Sequence, residues 1–142
     1  MYLVENYIIK PLLIQRVIQK ENNESDVAIE GIDEIINTFV DDMKQNIIDD
    51  YATEISNKDK SLAIKTVNER ARNIVNPIWA KNKLDIVPGK KLISLLSKWS
   101  QDKYNVSFNS FKLARMLLKN EIDVEIKNLL TLIENNKELS YD

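Results

Sequence analysis

A stripe of nine apolar residues between positions 32 and 55 constrains the fold of this chain more than any other feature of its sequence. The residues recur mostly at spacings of three and four, which places them along one side of a helix. They are Ile32, Ile35, Ile36, Phe39, Val40, Met43, Ile47, Tyr51 and Ile55. The pattern predicts a helix from Val27 to Ser56, about 45 Å long at 1.5 Å per residue. A helix this long must be covered along its whole apolar side.

Two arrangements would cover the stripe. In one, the other helices of the same chain wrap around the long helix as the centre of a bundle. In the other, part of the stripe pairs with a second copy or another protein, as the helices of a coiled coil do. The residues that would form this dimer or partner seam are Ile36, Phe39, Val40, Met43 and Ile47.

The scarcity of turn-forming residues favours an all-α fold. The chain of 142 residues has two glycines, Gly31 and Gly89, and three prolines, Pro11, Pro77 and Pro88. The many turns of an all-β fold of this length would require more. We therefore expect a helical bundle around the long central helix. The other apolar patterns predict helices at Tyr7–Lys20, Ser61–Ile74, a short segment from Asn76, Lys90–Lys103, Asn109–Lys119 and Asp123–Asn135.

Several positions in this pattern predict helix boundaries. Pro11 either begins the first helix or kinks it, because proline removes a backbone donor and clashes with the preceding turn. Asp26 is a candidate N-cap for the long helix. Asn76 followed by Pro77 is typical of a cap with proline in the first turn. The Pro88–Gly89 pair is the strongest break, so we place a boundary between two regions there.

Charge divides the chain at about the same point. Residues 1–78 carry nine Lys or Arg against fourteen Asp or Glu, whereas residues 79–120 carry nine against two, a net charge of +7. We therefore expect an acidic helical bundle at residues 1–87, suited to dimerisation or docking. Residues 88–142 are expected to form a basic, three-helix subdomain that resembles a helix-turn-helix. A basic surface attracts nucleic-acid phosphates whatever the base sequence, because binding releases counterions.

The predicted helix Asn109–Lys119 carries the sharpest basic pattern. Lys112, Arg115 and Lys119 are three and four residues apart and share one face. The residues expected to face inward are Phe111, Ala114 and Leu117. This is the layout of a recognition helix, although an ordinary solvated helix face has the same residue types. The candidate nucleic-acid ligands are Asn109, Lys112, Arg115 and Lys119 and, outside this helix, Lys90, Lys91, Lys98 and Lys103.

Residues 90–119, which include the segment LLSKWSQDKYNVSFNSFKLARML, resemble the small helical or winged-helix domain at the ends of some viral and plasmid primase-helicases. In those proteins, a helix with a Lys-Trp-type end and a short turn precede a basic helix. The resemblance implies DNA binding and a viral or mobile-element origin. No pair of strands is predicted after Lys119 to supply a wing, so a purely helical variant is expected.

The order of helices in the first region is similar to the histone fold. A short helix from Pro11 to Lys20, a helix of nearly thirty residues from Asp26 to Ser56 and a short helix from Ser61 to Ile74 are separated by loops. Proteins with that fold pair through the long helix, so the similarity implies dimerisation. It does not imply DNA wrapping, because this region is acidic and DNA-wrapping histones are strongly basic.

The residues needed for most kinds of catalysis are missing. The chain has no His and no Cys, which removes the commonest general base, cysteine nucleophiles and thiolate metal sites. Glycine-rich nucleotide-binding loops are impossible with glycine only at positions 31 and 89. The pairs Asp41–Asp42 and Asp49–Asp50 could in principle hold Mg²⁺, but they alternate with the apolar stripe as solvent-facing residues do. We expect no enzymatic activity, no cofactor and no metal.

The longest apolar stretch near the N-terminus, Tyr7–Ile14, is interrupted by Lys10 and Pro11. It is far shorter than the roughly 20 residues of a membrane span. We expect no membrane association and a cytoplasmic location, in the host cytoplasm if the origin is viral.

The two tryptophans have two possible roles, since aromatic rings beside lysines can stack single-stranded bases. Trp99 lies on the apolar side of its predicted helix, which favours the core. Trp79, close to Lys81 and Lys83, is less determined by its neighbours, and the core is again the simpler interpretation.

These patterns support two hypotheses about function. In the first, the chain binds DNA through its basic subdomain, and Lys112, Arg115 and Lys119 contact the duplex. In the second, it is a protein-interaction module, such as an inhibitor or adaptor, whose acidic region engages a basic protein surface.

Overall fold

A computed structural model of the chain describes residues 3–117, 127–128 and 131. Within these residues there are six α-helices, one short 3-10 helix and no β-strand, so the all-α prediction is confirmed. No helix in this part of the chain combines the length and the apolar composition needed to cross a membrane. The elements are α1 (Leu3–Tyr7), α2 (Pro11–Glu21), α3 (Ile29–Lys58), α4 (Ile64–Lys81), the 3-10 helix (Lys83–Asp85), α5 (Gly89–Tyr104) and α6 (Ser110–Ala114).

Helix α3 is the centre of the bundle, as the apolar stripe predicts. It covers 30 residues and packs against α2, α4 and α5. Its buried residues are Ile32, Ile36, Val40, Met43, Ile47, Ile48 and Ala52. Four of the five residues nominated for a dimer seam are therefore buried by helices of the same chain. The fifth, Phe39, is half-buried against the same core.

The first predicted helix is divided at Lys10. Helix α1 ends at Tyr7 and α2 begins at Pro11, so proline occupies the first helical position, where its missing N–H would have no partner. Lys10 is extended, with φ −128° and ψ 133°, as residues before proline usually are. The prediction that Asp26 caps α3 is wrong. The N-cap position is Ala28, whose side chain makes no capping hydrogen bond.

Helix α4 runs through the boundary predicted at Asn76–Pro77, so that prediction is wrong. One helix covers Ile64–Lys81 with the proline inside it, although an internal proline removes a backbone hydrogen bond. Val75 is fully buried before the proline, and Ile78 and Trp79 pack against the core after it. Burying a large apolar side chain stabilises a fold by about 1.5–3 kcal/mol, which offsets the lost hydrogen bond.

The start of α5 is held by the N-terminal helix. Asn6 Nδ2 donates to the carbonyl oxygens of Leu84 and Val87, the latter at 3.0 Å. A Cβ atom on Gly89 would overlap Asn6 Oδ1, so a larger residue at this close approach would force the Asn6 side chain to shift. The helix begins at the predicted break, and α1 packs against it. Buried residues on both sides of the break, such as Val87 and Leu92, belong to one hydrophobic core.

Helix α6 is shorter than predicted. It covers Ser110–Ala114 and is followed by a turn. Lys119 and the predicted helix Asp123–Asn135 lie outside the described residues. The side chain that anchors α6 to the core is Leu113, which is fully buried, whereas Phe111 is 68% exposed. The prediction that Phe111 faces inward is therefore wrong, because α6 turns Leu113 and Ala114 toward the core and Phe111 lies about 200° from Leu113 around the helix.

Two serines of α5 give a matched test of the core. Ser100 is fully buried, and its hydroxyl has no hydrogen-bond partner among the described residues. Ser97 Oγ, by contrast, accepts the backbone N–H of Phe108 at 2.9 Å.

An unsatisfied buried polar group costs about 1–3 kcal/mol, so Ser100→Ala is expected to raise the free energy of unfolding by about 1 kcal/mol. Ser97→Ala is expected to lower it by about 1 kcal/mol. Urea denaturation followed by circular dichroism measures both, and a shift of the same sign in both variants would contradict this assignment.

Candidate nucleic-acid interface

An open groove of about 550 Å³ lies between α5 and the loop that leads into α6. Three of the eight residues predicted to bind nucleic acid, Lys90, Lys98 and Asn109, meet there, and no carboxylate lines it. One wall consists of Lys90, Ile93, Ser94, Ser97, Lys98 and Gln101, and the other consists of Ser107, Phe108, Asn109 and Ser110.

The α5 wall follows from the spacing of polar residues along the helix. Lys90, Ser94, Lys98 and Gln101 are four, four and three residues apart, so they share one face. Leu92, on the core side of the same helix, is fully buried. The helix is thus anchored by its apolar side and presents a row of ammonium, hydroxyl and amide groups to the groove.

The opposite wall is held in place by hydrogen bonds and a buried ring. Asn105 ends α5 in the left-handed conformation, with φ 59° and ψ 32°, and so turns the chain back across the helix. Phe108 is buried at the corner, and its N–H donates to Ser97 Oγ. Asn109 Oδ1 accepts the N–H of Lys112 at 2.9 Å and caps α6. Asn109 therefore has a structural role at the edge of the groove.

The two groove lysines have few competing partners. Lys90 Nζ lies 3.8 Å from Glu5 Oε1, but the lysine side chain is 85% exposed, so this ion pair contributes little. Lys98 is exposed and forms no ion pair with any residue the structure describes. Both ammonium groups can therefore reach an anionic ligand.

Lys112 is half-buried and paired, whereas a recognition helix would present it outward. Its Nζ lies 2.8 Å from Glu21 Oε1 and donates to the carbonyl oxygen of Ser107 at 3.0 Å. Glu21 is the last residue of α2, 91 positions earlier in the chain. The ion pair thus joins α6 to α2 and gives the Lys112 ammonium group a carboxylate partner.

Arg115 lies at the exposed end of α6, where its guanidinium carbon is 5.5 Å from the centroid of the Phe111 ring. Together with Lys20 and Lys112 it lines a second cavity, of about 140 Å³, between α2 and α6. The remaining residues of that lining are Val17, Glu21 and Met116. The fold therefore adds Lys20, from the acidic region, to the basic surface.

Two other predicted cations, Lys91 and Lys103, line neither cavity. Lys103 Nζ is 5.8 Å and 5.5 Å from the ring centroids of Trp99 and Tyr104. Those two rings contact each other edge to face, with their centroids 5.6 Å apart. Lys91 is exposed on α5, and Lys119 is outside the described residues.

Both tryptophans pack against the hydrophobic core, as the simpler interpretation expects. The Trp79 ring is also flanked by the ammonium groups of Lys44 and Lys83, at 5.5 Å and 5.8 Å from its centroid. Base stacking by either tryptophan is therefore not needed to explain its position.

The acidic first region carries many of its exposed carboxylates on α3. The exposed carboxylates of α3 are Glu30, Asp33, Glu34, Asp41, Asp42, Asp49, Asp50 and Glu54. Asp41 Oδ1 lies 2.9 Å from Lys83 Nζ. Over residues 3–117 and the three described residues beyond them, no group of three or more carboxylates gathers as a metal site would require.

Three features of the site are absent from the sequence-based prediction: the serines and Gln101 of the groove, the inclusion of Lys20, and the exposure of Phe111. The four-residue spacing of Lys90, Ser94 and Lys98 is the signal that could have revealed the groove face. Only the packing of α2 against α6 reveals Lys20. No protein-family model, curated protein or solved structure matches this chain.

Proposed function

We propose that this chain is a non-catalytic nucleic-acid-binding protein, and that the groove between α5 and α6 receives the sugar-phosphate backbone. The observation that carries the proposal is the lining of the groove, which has two exposed lysines, six hydroxyl or amide side chains and no carboxylate. Lysine binds phosphate as a point charge, and Ser, Asn and Gln side chains donate hydrogen bonds to phosphate oxygens.

The spacing of the two lysines suits a polymeric phosphate ligand better than a single phosphate. Lys90 and Lys98 are eight residues apart, which corresponds to about 12 Å along α5. Neighbouring phosphates of one strand are separated by a whole nucleotide, so the two lysines are far enough apart to contact two different phosphates. The surrounding segment, residues 79–120, carries nine Lys or Arg against two Asp or Glu, so it favours the approach of a polyanion.

A non-catalytic role is supported by the chemistry of the groove. The chain has no His or Cys, and the groove lining has no carboxylate that could act as a general base. The groups present bind phosphates without activating a nucleophile. DNA is the ligand we consider first, and the cytoplasm is the location we propose.

The test is fluorescence anisotropy of labelled single-stranded and duplex DNA at two salt concentrations. Two phosphate contacts, one for each groove lysine, predict that the affinity falls about tenfold when salt rises from about 50 to 200 mM. Light scattering on the same sample reports whether the binding species is a monomer or a dimer. An absence of binding at the lower salt concentration would refute the proposal.

The exposed carboxylates of α3 favour a second candidate function. Eight carboxylates are exposed along this one helix, and such a surface is suited to docking on a basic protein. The chain would then act as an inhibitor or adaptor. Reversing the charge of Asp33 and Glu34 would impair that interaction, whereas reversing Lys90 and Lys98 would not.

A further inference from the structure

Phe111 is an exposed aromatic residue on the helix that separates the two basic cavities. Its side chain is 68% exposed, and it is the only aromatic among the exposed large hydrophobic side chains of the described residues. Leu113 lies two positions later, about 200° around the helix, and is fully buried. Phe111 therefore points away from the core.

The position of Phe111 around α6 places it between the two cavities. Ser110 lines the groove, whereas Lys112 and Arg115 line the cavity shared with Lys20. At about 100° per residue, Phe111 lies about 100° from Ser110 and about 40° from Arg115. Phe111 therefore lies on the side of α6 between the groove residue Ser110 and Arg115 of the second cavity.

The ring already has a cation on one face. The Arg115 guanidinium carbon is 5.5 Å from the ring centroid, and the side chain remains 68% exposed. An aromatic ring beside cations can stack on any base, because every base has a π-face. The exposed ring therefore lies on a helix with cations in the cavities on both sides.

We infer that Phe111 stacks on an unpaired base of a single strand whose phosphates lie between the groove lysines and Arg115. The inference rests on the proposed function and narrows the ligand to single-stranded DNA or RNA. Bases within a duplex are stacked on one another, so their faces are not available to a ring that protrudes from α6.

Substitutions at Phe111 separate stacking from other roles. Phe111→Ala removes the ring, Phe111→Leu keeps an apolar side chain without a π-face, and Phe111→Trp keeps the π-face. The control is Ile64→Ala, because Ile64 is 81% exposed on α4 and lines neither basic cavity. Anisotropy is measured with short single-stranded DNA, single-stranded RNA and duplex DNA of one sequence, after circular dichroism has shown that each variant is folded.

Phe111→Ala and Phe111→Leu are expected to weaken single-strand binding about tenfold and to change duplex binding less than about twofold. Phe111→Trp is expected to retain the affinity, and Ile64→Ala is expected to change nothing. A loss confined to DNA or to RNA supports the inference and identifies the ligand. Three results would overturn the stacking role and leave phosphate binding in place. Phe111→Ala could weaken single-strand and duplex binding equally, it could weaken neither, or Phe111→Leu could keep the full single-strand affinity. If the unsubstituted protein binds no nucleic acid, the proposed function fails and the stacking role fails with it.

Discussion

The double substitution Lys90→Glu and Lys98→Glu is expected to weaken nucleic-acid binding about 100-fold at low salt. Each hydrogen bond from lysine to phosphate contributes about 1.5 kcal/mol. The loss of two therefore costs about 3 kcal/mol, or roughly two factors of ten in the dissociation constant. The slope of log affinity against log salt concentration should fall in magnitude by about 2, because two phosphate contacts are lost.

The matched control reverses the same amount of charge outside the groove. Lys60 and Lys65 are exposed, before and within the first turn of α4, and neither lines the groove. Lys60→Glu with Lys65→Glu is expected to change the dissociation constant less than about threefold, since only long-range screened charge is altered. If both double substitutions weaken nucleic-acid binding equally, the binding depends on overall charge and not on the groove. Unchanged affinity in the groove variant would remove the groove as the interface.

Lys112 is a poorer position for this test, although helical spacing made it the leading candidate. Its ammonium group lies 2.8 Å from the Glu21 carboxylate and joins α6 to α2. Lys112→Glu would bring two carboxylates together and loosen the fold as well as alter binding. Helical periodicity identifies only neighbours within one helix, whereas Glu21 is 91 residues away from Lys112 in the sequence. The sequence therefore reveals the cation but not the carboxylate that pairs with it.

The long central helix could be predicted to within a few residues because one uninterrupted apolar stripe marks it. Val27–Ser56 was expected and Ile29–Lys58 is observed. Predictions of helix boundaries from local sequence signals failed where tertiary packing outweighs those signals. Pro77 is a strong local signal for a helix start, yet the burial of Val75 and the packing of Ile78 keep α4 continuous.

The candidate site could be predicted only in part for a related reason. Composition located a basic segment, and two of its lysines, Lys90 and Lys98, line the groove. The facing wall depends on the left-handed turn at Asn105, and the second cavity depends on Lys20 from α2. The packing of the helices determines which charged side chains come together. In α6, the buried Leu113 determines which face points inward and therefore which side chains point outward.

Gly89→Ala is expected to lower the free energy of unfolding by about 2 kcal/mol. The new methyl group would overlap Asn6 Oδ1 and lie 3.1 Å from Glu5 Cβ. The Asn6 side chain cannot move aside freely, because its amide donates to the carbonyl oxygens of Leu84 and Val87. Each hydrogen bond lost costs about 1 kcal/mol. The melting temperature should fall by about 4–8 °C, since 1 kcal/mol shifts it by about 2–4 °C in a chain of this size. Thermal unfolding followed by circular dichroism measures the shift.

Substitutions at the chain's other glycine and at Asn6 test whether the destabilisation by Gly89→Ala is steric. A Cβ atom on Gly31 would meet nothing within 4 Å, and Gly31 lies inside α3, so Gly31→Ala is expected to stabilise the fold by about 0.5–1 kcal/mol. Asn6→Ala removes the obstacle at position 89. In that background Gly89→Ala is expected to cost little, and the coupling energy of the double-mutant cycle measures the clash. If Gly89→Ala destabilises the Asn6→Ala variant as much as the unsubstituted protein, α1 does not fix the start of α5. It then does not fix the groove wall that α5 forms either.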